Sequence, residues 1–265
     1  MVSTIFPGTV FHAQSIGRYE DTEMGPLLYL ILIACLAAFI QGLTGFGVGI
    51  FTILFLPYVF SYQASVAITA FCAVVMSCVL LFNTREHVEI KKILPVVIPI
   101  VIIQIISTYF LFVLDDAMLT IILVFILLFF AGLFYISEKG WQIKASLPNS
   151  ILAGCVTGVC NMLGVSGPPP LGYYYHSIFK DNIRYLANLQ ATLLITLTVL
   201  LVQHIIQGSM TLEVFIYSAI ASVVCVVFLL GALRIFKKLD RNRLTKIIIV
   251  FLIVMAFLKF AEYYL

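Results

Sequence analysis

The stretch Asn161-Met-Leu-Gly-Val-Ser-Gly-Pro-Pro-Pro-Leu171 decides how the chain is interpreted, because it is compatible with two different structures. Gly164 to Gly167 form a G-x-S-G arrangement that can present a nucleophilic serine. The same glycines, followed by Pro168 to Pro170, are also typical of a helix that is interrupted inside a membrane. An interrupted helix exposes backbone N–H groups, which can hold an anion. The remainder of the chain favours the second interpretation.

Composition places the chain in a membrane. Its 265 residues are 63% hydrophobic and only 10% charged, whereas soluble domains carry about 25% charged residues. No Asp, Glu, Lys or Arg occurs from Met24 to Thr84, and about 20 apolar residues are enough for one spanning helix. We therefore expect an all-α, multi-pass protein of the cell membrane, with the lipid bilayer as its main partner.

Several other kinds of site are not supported by the sequence. Basic patches with interleaved aromatic residues, typical of nucleic-acid binding, do not occur. The six cysteines have neither C-x-x-C nor zinc-ligand spacing, so we expect no metal and no cofactor. Residues 1–26 are expected to form an extramembrane tail, and residues 27–265 a single transmembrane domain. The sequence does not indicate an oligomeric state.

Eight apolar segments follow one another along this domain. They cover residues 27–57, 63–82, 93–113, 117–136, 148–178, 184–206, 212–233 and 244–262. The first and fifth are too long for a simple crossing, and glycine-rich stretches interrupt both near the middle, at residues 42–49 and 158–167. The order of segments therefore repeats, with repeat one at 27–136 and repeat two at 148–262. A short similarity between the stretches that begin at Leu114 and Leu239, an offset of 125 residues, supports the duplication.

Charge placement indicates that the two repeats have opposite orientations. The connection at 234–246 is rich in Lys and Arg, whereas its counterpart, Asp115-Asp116, is acidic. The connection at 83–92 is also basic, but its counterpart at 207–211 carries no charge. Cytoplasmic loops carry the excess of Lys and Arg, so equivalent loops face opposite sides. Inversion requires the first and fifth segments to be re-entrant; eight plain crossings remain the alternative.

The two glycine-rich interruptions are the expected binding site. Paired glycine- or proline-interrupted segments in two halves are the best pointer in a sequence to a transporter's substrate site. The starts of the half-helices offer unpaired N–H donors and a positive dipole end to a small anion. The candidate binding residues are Gln41, Thr44, Gly45, Gly47, Gly49, Asn161, Gly164, Val165, Ser166 and Gly167.

Two neighbouring features are expected to have structural roles. Gly154 and Gly158, spaced as small-xxx-small, are expected to allow close helix packing. Tyr173 to Tyr175 are expected to mark the membrane interface.

The glycine-rich stretches resemble those of a known transporter family. The run Gly42-Leu-Thr-Gly-Phe-Gly-Val-Gly, its partner Gly158…Gly164-Val-Ser-Gly-Pro-Pro, and the four-plus-four layout are similar to the sulfite exporter TauE/SafE family of permeases. The resemblance extends over residues 28–262. It implies transport of sulfur-containing anions such as sulfite or sulfonates across a plasma membrane, with both glycine stretches contacting the substrate. The family often has adjacent glycines where this chain has Gly-Phe-Gly-Val-Gly.

Two other functions are compatible with parts of the sequence. A channel with paired half-helices would have similar geometry, although the Asn-Pro-Ala pairs of aquaporins are absent. A rhomboid-type serine protease needs a histidine, typically in an Ala-His-x-x-Gly setting, to deprotonate its serine. His204 instead follows Gln203, and Ser166 precedes Gly167 and three prolines. The sequence therefore indicates a transporter and not an enzyme.

Overall fold

The structure, a computed structural model, describes residues 24–107, 116–140, 142–161 and 167–264. These residues form helices and connections, with no strand among them. The α-helices are α1 (Met24–Thr44), α2 (Val48–Phe55), α3 (Tyr62–Thr84), α4 (Ile90–Ser107), α5 (Asp116–Glu138), α6 (Leu147–Asn161), α7 (Pro168–Ile178), α8 (Asn182–Ile206), α9 (Leu212–Phe236) and α10 (Arg241–Tyr264). Short 3₁₀ turns follow α2 at Leu56–Tyr58 and α3 at Arg85–His87.

The distribution of side chains is that of a protein surrounded by lipid. Six helices in the described part of the chain are long and apolar enough to cross a bilayer: α1, α3, α5, α8, α9 and α10. Large apolar side chains such as Leu28, Leu32 and Phe125 are exposed, whereas the amides of Gln41 and Gln190 are buried. Polar groups in a membrane protein are expected to face the interior of the bundle, because lipid offers them no hydrogen bonds. The chain is thus a multi-pass membrane protein.

Helices α1 and α2 form a hairpin. The hydroxyl of Tyr29, near the start of α1, donates a hydrogen bond of 3.0 Å to the carbonyl of Phe55, the last residue of α2. Helix α2 therefore returns along α1. The turn of the hairpin, Gly45 to Gly47, lies beyond the middle of the segment, because α1 has 21 residues and α2 has 8.

Helices α6 and α7 form a second hairpin of similar design. The hydroxyls of Ser150, near the start of α6, and Tyr174, near the end of α7, are 2.7 Å apart and share a hydrogen bond. Residues 162–166, which connect the two helices, are outside the described residues.

Close packing fixes the relative direction of two helix pairs. Along α1 and α9, the Cys225 thiol lies 3.6 Å from the Ala34 carbonyl, and a methyl group on Gly42 would come within 2.5 Å of the Ala232 side chain. Contacts therefore advance together in sequence, so α1 and α9 are parallel.

Helices α4 and α6 pack in the same way. A methyl group on Gly154 would lie 2.5 Å from the Val96 carbonyl, and one on Gly158 would lie 3.2 Å from the Ile100 carbonyl. These two helices are therefore also parallel. The expected packing role of Gly154 and Gly158 is confirmed, because neither position has room for a side chain.

Helix α8 lies at the centre of the bundle and contacts α3, α4 and α7. At its start, the Asn188 side chain bonds to the backbone at His87 and Glu89, which connect α3 to α4. Further along, the Thr196 carbonyl accepts a hydrogen bond of 3.1 Å from the Gln104 amide, near the end of α4. Helix α8 is consequently parallel to α4 and antiparallel to α3.

Candidate functional site

The first interruption, Gly45 to Gly47, separates two helices by three non-helical residues. Gly45 has φ 82° and Gly47 has φ 124°, values that are strained for any residue with a side chain. A methyl group on Gly47 would also come within 2.9 Å of the Phe251 ring. The sequence therefore needs glycine at both ends of this turn, where the chain reverses direction in a crowded interior.

Donors from α8 bind the carbonyl groups of the first interruption. The hydroxyl of Tyr185 donates to the Thr44 carbonyl at 3.0 Å, and the Gln190 amide nitrogen donates to the Gly45 carbonyl at 2.5 Å. Both side chains are completely buried. Backbone carbonyls that the end of α1 leaves without helical partners are thus satisfied by the second half of the chain.

The start of α2 presents N–H donors in the same place. The Val48 N–H donates to the Gln41 side-chain oxygen at 3.3 Å. Gly49 and Ile50 follow in the first turn of the helix, where N–H groups have no acceptor within the helix itself. All three residues are buried. This helix start combines a positive dipole end with donors that an oxyanion can use.

The second interruption contains a comparable amide. The Asn161 side-chain oxygen accepts a hydrogen bond of 3.1 Å from the Gly167 N–H, immediately before α7. Its amide nitrogen donates to the Gln104 side-chain oxygen at 2.9 Å. A chain of hydrogen bonds then continues through Gln104 to the Thr196 carbonyl on α8. Asn161 and Gly167 are therefore in direct contact at the second interruption.

Both interruptions lie against the same helix. Gln190 of α8 contacts the first interruption, and Thr196 of α8 is linked to the second through Gln104. The two residues are six positions apart, which corresponds to a rise of about 9 Å along the helix. The Phe46 ring, inside the first interruption, also packs closely on Gly172 of α7. The first interruption therefore contacts the second hairpin directly.

The predicted site residues fall into two groups. Gln41, Thr44, Gly45, Gly47 and Gly49 lie together at the first interruption, and Asn161 and Gly167 lie at the second. Gly164, Val165 and Ser166, which were predicted to supply donors, lie outside the described residues.

Three further residues contact the interruptions without having been predicted as site residues: Gln104, Tyr185 and Gln190. Thr196 is linked to the second interruption through Gln104. The only signal for them in the sequence is that polar residues are unusual inside apolar segments.

The expectation for the three tyrosines is wrong. Tyr173, Tyr174 and Tyr175 are at most 2% exposed and belong to the core. The hydroxyls of Tyr174 and Tyr175 have partners inside the bundle, at 2.7 Å from the hydroxyls of Ser150 and Thr192. A run of adjacent tyrosines resembles an interfacial belt, but the short helix α7 is enclosed on all sides, so its aromatic residues cannot reach the headgroups.

The polar groups around both interruptions carry no formal charge in the described part of the chain. They are amides, hydroxyls and backbone groups. At the interruptions themselves, a full charge from a ligand would therefore be matched by N–H dipoles.

Comparison with known proteins agrees with this architecture. The family model described as "Sulfite exporter TauE/SafE" matches residues 30–258. Neither a curated protein nor a solved structure matches the chain significantly. The matched range begins inside α1 and ends inside α10, so it includes both hairpins. The chain belongs to the TauE/SafE family of membrane transporters.

Proposed function

We propose that this transporter carries small sulfur-containing oxyanions, such as sulfite or sulfonates, which bind between the two interruptions. The observation that carries the proposal is the buried start of α2, where Gly49 and Ile50 offer N–H donors in an uncharged site. The family name supports the sulfur chemistry. The geometry supports only a compact anion, because it contains no feature that is specific for sulfur.

We further propose that the two halves are inverted repeats. Helix α1 is parallel to α9, and α6 is parallel to α4. Helix α9 follows α8 through the short connection 207–211 and reverses its direction, while α8 is parallel to α4. It follows that α1 is antiparallel to α6, its counterpart in the second repeat. These directions support repeats at 27–136 and 148–262 with opposite orientations.

The two hairpins support a re-entrant form for the first and fifth segments. Each starts and ends on one side, as the contacts of Tyr29 with Phe55 and of Ser150 with Tyr174 indicate. Helices α3, α4, α5, α8, α9 and α10 would then be the crossings. Helix α1, although long and apolar enough to span a bilayer, would instead be one arm of the first hairpin. In this arrangement the two interruptions meet inside the bundle, and rocking of one repeat against the other would expose them alternately to each side.

The expected setting is the plasma membrane, and the transport mode is proposed to be that of a carrier. Purified protein in proteoliposomes would be tested with sulfite, thiosulfate, methanesulfonate and acetate. Uptake of radiolabelled sulfite that is stimulated by sulfite inside the vesicles supports a carrier. Rapid flux without such stimulation would indicate a channel instead. Binding and uptake of none of the sulfur anions would overturn the proposed substrate class.

A further inference from the structure

The amide of Gln190 has only one of its two ends satisfied. Its side chain is 0% exposed, and its nitrogen donates to the Gly45 carbonyl at 2.5 Å. Its oxygen is buried and has no hydrogen-bond partner among the described residues. Because the Gly45 carbonyl can only accept, it fixes the orientation of the amide, and the oxygen must be the free end. The first interruption therefore contains an unused acceptor.

An unused buried acceptor is unfavourable until something donates to it. Buried polar groups nearly always have partners, so a specific exception requires an explanation. Helix α2, which begins at the same interruption, supplies N–H donors at Gly49 and Ile50. A ligand that satisfies this whole site must accept hydrogen bonds with some atoms and donate one with another.

We propose that the first interruption selects a singly charged oxyanion that carries its own donor, an O–H or N–H group, which the Gln190 oxygen accepts. This inference rests on the proposed function and specifies its substrate class. Hydrogen sulfite, with one proton retained, belongs to that class. A monoanion with a methyl group in place of the donor has nearly the same size but leaves the acceptor unsatisfied. Sites built to bind a substrate O–H or N–H reject analogues that lack it.

Two anions of matched size separate the contribution of the donor from that of charge. Sulfamate and methanesulfonate are both singly charged and have the same three sulfonyl oxygens, but the first ends in NH₂ and the second in CH₃. In proteoliposomes we expect wild-type protein to prefer sulfamate by about 10-fold or more in competition against labelled sulfite. In Gln190→Met, a variant of similar side-chain length, the ratio of competition by sulfamate to that by methanesulfonate is expected to fall close to one.

Tyr185→Phe is the matched control. It removes another side-chain donor near the same interruption, the 3.0 Å hydrogen bond to the Thr44 carbonyl, and keeps the Gln190 acceptor. We expect it to lower the competition of both anions by a similar factor and to preserve their ratio. A ratio that collapses equally in both variants would show that general loosening of the interruption is the cause, and would overturn the assignment to Gln190.

The outcomes also separate this inference from the function on which it rests. Equal competition by the two anions in wild-type protein would overturn the donor requirement and leave an anion transporter in place. An unchanged preference in Gln190→Met would likewise contradict the role of its oxygen. If neither anion competes and sulfite itself is not taken up, the proposed function fails as well.

Discussion

Gln41 and Asn161 are 120 positions apart and form the same hydrogen bond. The Gln41 oxygen accepts from the Val48 N–H, and the Asn161 oxygen accepts from the Gly167 N–H. In both cases the amide lies near the end of one helix and binds the start of the next. A side-chain amide thus closes each hairpin, on an N–H seven residues further on at Gln41 and six residues further on at Asn161. An anion at either position would compete with an amide oxygen for that donor.

Strain at the first interruption predicts a stability difference between two glycines. Gly47→Ala places a side chain at φ 124° and against Phe251, so we expect a loss of about 1–3 kcal/mol in the free energy of unfolding. Gly231→Ala, inside α9 and five residues before its end, with space for a methyl group, should be neutral or slightly stabilising. Thermal unfolding in detergent measures both. Equal Tm values for the two variants would contradict the strained geometry.

The contacts between α7 and α10 predict that replacing Arg241 destabilises the protein more than replacing Arg243. The guanidinium group of Arg241 donates to the Phe179 carbonyl at 2.6 Å and to the His176 carbonyl. Arg241→Lys cannot reproduce this two-point contact, and we expect it to destabilise the protein by about 1–3 kcal/mol. Arg243→Lys should change the Tm little, because Arg243 is exposed and forms only a surface ion pair with Asp240. A larger loss in Arg243→Lys would contradict the assignment.

Inversion of the repeats predicts opposite accessibility for two connections. Glu86 and Gln207 are both exposed and follow the equivalent helices α3 and α8. Cysteine would be introduced at each position separately, in a background where the exposed Cys78 is replaced by alanine. A membrane-impermeant maleimide added to intact cells should label position 207 and not 86, because the basic connection at 83–92 is expected inside. Labelling of both positions from one side would exclude inverted repeats.

Much of the fold was predictable because hydropathy constrains membrane helices strongly. The apolar segments follow from runs of residues without charge, and the structure adds mainly their exact ends. The offset between the two proposed repeats was harder to predict from the sequence. The sequence shows an offset of 125 at Leu114 and Leu239, whereas the helix caps Ser61 and Asp181 and the amides Gln41 and Asn161 are 120 apart. In the proposed repeats, the two halves would therefore differ by five residues between these positions, which would weaken their visible similarity.

The site was predictable only where backbone geometry determines it. The glycine-rich run predicted an interruption at residues 42–49, and Gly45 and Gly47 have positive φ there. Tyr185 and Gln190 contact the interruption from a helix more than 130 residues away in the chain, and only the folded bundle brings them there. The enclosed position of Tyr173 to Tyr175 could not be predicted either, because it depends on the packing around α7.

The most direct test of the central claim places a negative charge at each interruption. Gln41→Glu and Asn161→Asp keep an oxygen for the Val48 and Gly167 N–H groups but add a charge that repels an anion. Asn149→Asp, the same change at a half-buried position near the start of α6, away from both interruptions, is the control. Radiolabelled sulfite uptake into proteoliposomes should fall about 10-fold or more in the first two variants, since like-charge juxtaposition costs several kcal/mol. Uptake should be unchanged in the control. Wild-type KM and rate in both Gln41→Glu and Asn161→Asp would show that the anion binds elsewhere.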